Sequence, residues 1–147
     1  MKKIFLSATI FLLLSAGLHA QQSSVFQING KAIRGYDPVA YFTNAKPTIG
    51  FDSLHTTWNN SEWYFSSKEN LELFIKNPEK YSPQYGGYCA YGTADGHKAP
   101  TQPDAWAIID DKLYFNYNTK VKALWDKDQK GYIEKANKNW PLIKNNP

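Results

Sequence analysis

At 147 residues, 42% of them hydrophobic and 16% aromatic, the chain is long enough for one domain with one core. It carries 17 Lys and Arg against 13 Asp and Glu, for a net charge of +4. The lysines are spread out and Arg34 is the only arginine. Nucleic acid is therefore a poor partner, since Arg is the usual bidentate reader of phosphate and guanine.

The chain opens with Met1-Lys2-Lys3, runs without charge from Ile4 to Leu18, and reaches His19-Ala20 before Gln21-Gln22. A basic start, an apolar stretch and a terminal small residue describe a secretory signal peptide over residues 1–20, cleaved after Ala20. The apolar run of about 15 residues falls short of the 20 or so that cross a bilayer as a helix. No Cys follows it to take a lipid, and no later stretch is apolar enough to span a membrane. The expected product is exported, periplasmic or secreted, and keeps 127 of the 147 residues. Lys2 and Lys3 leave with the signal, which lowers the net charge from +4 to +2.

Residues 21–30 read as an N-terminal lead-in and 31–147 as the domain. Phe26 to Ile33 alternates about Asn29-Gly30, a hairpin turn dipeptide. Arg34 to Pro38 is turn-like, and Val39 to Phe42 reads as a short strand. Leu54–Trp58 and Glu62–Phe65 flank Asn59-Asn60 and predict a hairpin. Ser66 with Glu69 three residues on has the form of a capping box, and Leu71, Phe74 and Ile75 give the helix after it an apolar stripe that ends at Pro78. Tyr85 to Gly92 is the centre of a turn-rich segment, and the Gly- and Pro-containing stretch from Asp95 to Asp104 reads as a loop. Ala105–Ile109 and Leu113–Asn116 predict a second hairpin about Asp110-Asp111. Asn118 caps a helix in which Val121, Leu124 and Trp125 share one face. Ile133, Ala136 and Trp140 predict a last helix ending at Pro141. No repeat, low-complexity tract or linker divides the mature chain, so the fold class is α+β in a small single domain, with β-hairpins packed on short helices.

Cys89 is the only cysteine, so no internal disulfide holds the fold. It lies in Gly86-Gly87-Tyr88-Cys89-Ala90-Tyr91-Gly92, where glycines let another group come close. A metal site would draw on Cys89 and on His97, eight residues along in the loop, with Tyr85, Tyr88 and Tyr91 as ligand-binding neighbours. His55 is the other mature histidine, and neither His stands at a close ligand spacing from Cys89. Free Cys is also among the most buried residue types, so a core position is the competing account. Asp37, before Pro38, fits a turn better than an acid catalyst. Gly-x-Ser-x-Gly, phosphate-loop and His-Glu-x-x-His patterns are all absent, and no catalytic motif marks an enzyme.

The blocks Gly35-Tyr36-Asp37-Pro38-Val39-Ala40-Tyr41-Phe42, Trp63-Tyr64-Phe65-Ser66-Ser67-Lys68-Glu69-Asn70, and Asn77-Pro78-Glu79-Lys80-Tyr81 resemble the YHS domain family. Tyr85 to Ala90, Ala99-Pro100, Pro103 to Trp106 and Leu113 to Asn118 look like its exported stand-alone branch. The likeness spans roughly Lys31 to Trp140. It implies a small hairpin-plus-helix core, here followed by C-terminal helices, which relatives in metal-handling proteins use as a cysteine-based metal module. The family pattern places thiols where this chain has Ala40, Ser66 and Asn70. Ser and Asn are poor substitutes for thiolate toward soft metals, and Ser66 fits a helix cap instead. Cys89 is the one soft ligand left.

Three functions follow. In the first, an exported YHS-like binding module takes copper, haem or another small ligand through Cys89 with His97 or the tyrosines. In the second, the domain is a structural or interaction module with Cys89 in its core, meeting a protein or small organic partner. In the third, Cys89 serves thiol-redox chemistry.

Overall fold

The computed structural model describes residues 23–146; the signal segment expected over 1–20 lies outside them. The fold is α+β. Two short strands, β1 (Gln27–Ile28) and β2 (Lys31–Ala32), pair antiparallel. The turn between them has the positive φ angles at Asn29 (51°) and Gly30 (78°) that a tight hairpin requires. β3 (Phe51–Trp58) and β4 (Ser61–Phe65) form the larger hairpin, and β2 joins β4 in parallel, giving a four-stranded sheet in the order β1-β2-β4-β3. A separate hairpin pairs β5 (Trp106–Ile109) with β6 (Lys112–Phe115).

β4 alternates buried and half-buried residues, so Ser61, Trp63 and Phe65 point inward. Helix α2 (Lys68–Lys76) lays Phe74 on them, with ring centroids 5.2 Å from Trp63 and 5.1 Å from Phe65. Val39, Tyr41, Leu113 and Phe115 extend the same core. A second core joins Tyr85, Ala90, Ala94, Tyr114, Trp125 and Ala136. It lies under α4 (Ala90–Ala94), α5 (Thr119–Trp125) and α6 (Gln129–Ile143). Asn139 on α6 ties these elements together by donating from Nδ2 to the carbonyls of Thr93 (3.1 Å) and Ala94 (2.9 Å) at the end of α4.

Several local expectations change. The segment read as a strand over 39–42 is a helical turn, α1 (Ala40–Thr43), because Asp37 Oδ1 accepts from the N–H groups of Val39 (2.8 Å) and Ala40 (3.2 Å). The cap of α2 is Ser67, whose hydroxyl accepts from Asn70 N at 3.1 Å; Ser66 turns inward instead. Ile75 is 59% exposed, so the inner face of α2 is Leu71, Phe74 and the polar Asn70. A further short helix, α3 (Pro78–Tyr81), begins at Pro78, whose missing N–H costs nothing in a first turn. Pro141 lies inside α6 rather than ending it. Helix α4 begins within the turn expected at 85–92 and runs past its end.

Candidate functional site

Cys89 is the N-cap of α4 and is 1% exposed. Its sulfur accepts from Tyr117 N (3.2 Å) and Gly92 N (3.4 Å) and donates to Asn116 Oδ1 (3.7 Å). Its backbone N–H donates to Ala99 O at 3.0 Å, and its carbonyl accepts from both Thr93 N and Thr93 Oγ1 at 2.9 Å. Every polar atom of the residue is thus engaged inside the protein. Burial pushes the thiol above its ordinary range, and the N–H groups of Gly92, Tyr117 and Tyr91 only partly oppose it. That is the reverse of what a reactive thiol needs. Beside it, Asn116 Nδ2 is buried without a hydrogen-bond partner. An amide N–H is a donor and offers nothing to a cation.

His97 is exposed, and its Nε2 lies 3.2 Å from where a Cβ on Gly92 would stand. Cys89 and His97 thus both abut Gly92, one inside and one outside. The three tyrosines do not gather at the sulfur. Tyr88 donates its hydroxyl to Ser23 O at 2.8 Å, and Tyr85 donates to Asn137 Oδ1 at 2.9 Å. The Tyr91 ring lies 4.9 Å from that of Tyr132. Among the described residues, no three His, Cys, Asp or Glu side chains are placed to hold a metal ion.

A second cluster forms where the resemblance would place thiols. Ala40, Ser66 and Asn70 converge on Asp37, which is fully buried. Asp37 Oδ1 receives the N–H groups of Val39 and Ala40. Asp37 Oδ2 receives Ser66 N (2.8 Å), Ser66 Oγ (2.7 Å) and Asn70 Nδ2 (2.7 Å). Five donors on one carboxylate join α1, the end of β4 and α2. The carboxylate is thus fully engaged inside the protein.

A well-formed cleft among the described residues lies elsewhere. A cleft of about 340 Å³ runs between the β3–β4 turn, the segment 82–86, the N-terminal Ser24-Val25 and the end of α6. Its aromatic lining is Trp58, Trp63, Tyr85 and Trp140; its polar lining includes Asn59, Asn137 and Lys144. Trp58 and Trp140 are half-buried, while Trp63 is sealed beneath and donates its Nε1 to Trp58 O at 3.0 Å. The cleft wall is strained: Tyr85 holds φ 56° and Gly86 φ 61°. For Tyr85 the left-handed region is costly. At Gly86 a side chain is excluded, since a Cβ would lie 1.8 Å from Ser24 O. This conformation buries the Tyr85 ring and directs its hydroxyl to α6.

No protein-family model matches the chain, and no curated protein or solved structure matches it either. The cleft was not visible to sequence reasoning, because four segments far apart in the chain build it. Of the residues predicted for a ligand, it contains Tyr85 alone. Among the described residues, no helix is long and apolar enough to cross a membrane.

Proposed function

We propose that this chain is an exported YHS-like binding module that works without a thiolate metal centre and takes a small organic ligand in the Trp58–Trp140 cleft. The observation that carries this reading is the state of Cys89. The residue is 1% exposed, and its sulfur is already satisfied by two backbone N–H groups and Asn116. Binding copper or haem there would require opening the junction of α4 and β6 and breaking those bonds. The Asp37 cluster supports the family part of the reading. Three positions distant in sequence, matched to family thiols by their motifs, meet at one point. They meet as a closed hydrogen-bond knot, which fits a scaffold kept after its metal ligands were replaced. The same burial argues against a thiol-redox role, since exchange needs an accessible thiolate.

Thiol accessibility tests the sulfur's enclosure. The mature protein at pH 8 should react with Ellman's reagent at well under about one-hundredth of the rate of a free thiol. Full reactivity should return only in denaturant. Rapid stoichiometric reaction of the folded protein would place Cys89 at an open site and reverse the reading.

A further inference from the structure

We infer that the ligand of the cleft is a small organic anion: a flat apolar ring system carrying a carboxylate or sulfonate. This rests on the cleft being the binding site, as proposed above, and adds the class of molecule it takes. Two features select that chemistry.

The first is a pair of fixed aromatic platforms. Trp58 is held from behind by Trp63 and Phe74, with centroids 5.9 Å away in each case. Trp140 is held by Tyr85 at 6.0 Å and Tyr88 at 6.2 Å. Rings locked by packing lose little freedom when a ligand lies on them. The cleft volume of about 340 Å³ is at the small end for organic ligands, so one or two fused rings fill it.

The second is charge. No Asp or Glu lines the cleft, and Lys144 is its one charged lining residue. Lys144 is exposed, and among the described residues no carboxylate pairs with it. Within the lining, Lys144 is thus the one formal charge at the α6 end of the cleft, and no acid of the lining offsets it. An apolar ring on the indoles with its anionic group at Lys144 satisfies both features.

The test is titration of the mature chain, from Gln21 onward, followed by nitrogen–proton correlation NMR of the tryptophan indoles. The probes are 2-naphthoate, the neutral 2-naphthalenemethanol and the neutral disaccharide cellobiose. The expected result is saturable movement of the Trp58 and Trp140 indoles with naphthoate, and about tenfold weaker binding of the alcohol. Lys144→Glu, a surface change that leaves the core intact, should weaken naphthoate by about tenfold or more and leave the alcohol unchanged. Equal binding of acid and alcohol, or indifference of naphthoate to Lys144→Glu, would overturn the anion class. A preference for cellobiose at the same indoles would also overturn it, while leaving the cleft as a site. Silence of both indoles toward all three probes would overturn the site itself.

Discussion

Asp37→Ala is expected to lower stability by about 3–4 kcal/mol, a fall in Tm of roughly 10–15 °C. The change removes a fully buried carboxylate that five donors share. Each donor then loses its acceptor, and unmade buried hydrogen bonds cost far more than made ones gain. Asp37→Asn should recover little. Its amide oxygen can still cap α1, but its amide nitrogen would confront Ser66 N and Asn70 Nδ2, both donors. A denaturant midpoint for the three proteins decides this. If the Asp37→Asn variant proved as stable as the parent, the knot would not depend on a carboxylate. The effect is also predicted to be structural only: ligand binding at the cleft should survive wherever the variant remains folded.

Phe74→Ala should cost about 3–5 kcal/mol, as large-to-small changes of core aromatics do. Phe74 is fully buried and touches the rings of Trp58, Trp63 and Phe65 at once. The cavity would open directly behind Trp58, so the cleft should loosen along with the core. Phe74→Leu keeps most of the apolar contact and should lose only about 1.5 kcal/mol. Thermal unfolding of both variants supplies the numbers. A loss below about 1 kcal/mol for Phe74→Ala would mean that the aromatic cluster collapses to fill the gap.

Much of the fold was legible because its local signals agree with its packing. The hairpin turns at Asn29-Gly30 and Asp110-Asp111 adopt the left-handed angles that their residue types favour. Asn118 caps α5 by accepting from Val121 N at 2.9 Å. Elsewhere a distant partner decided between local alternatives. Ser66 and Ser67 are equally good caps in sequence. Ser67 takes the role because Asp37, twenty-nine residues before Ser66, claims both donors of Ser66. Val39 to Phe42 has the composition of a strand, yet the Asp37 side chain satisfies its first N–H groups and folds it as a helical turn. Helix α4 hid in a Gly- and Tyr-rich stretch because its caps are Cys89 and, from α6, Asn139.

The candidate residues divide in the same way. Cys89 is conspicuous as the lone cysteine, but sequence could not say whether the glycines around it opened or closed the site. The site is closed: Gly92 N, in α4, and Tyr117 N, just past β6, both donate to the sulfur. Trp58, Trp140 and Lys144 share no motif and meet only through the fold. A motif search is blind to such a site, because its parts share a cleft and no stretch of chain.

Copper(I) competition tests most directly whether the protein works without a thiolate metal centre, as proposed. The mature protein and Cys89→Ser would each be titrated against a chromogenic copper(I) chelator under reducing conditions, with histidine-free buffer. The expected result is that neither protein withdraws copper from the chelator, and that the two curves superimpose. Withdrawal of one equivalent by the parent, abolished in a folded Cys89→Ser, would contradict the claim and make Cys89 a metal ligand.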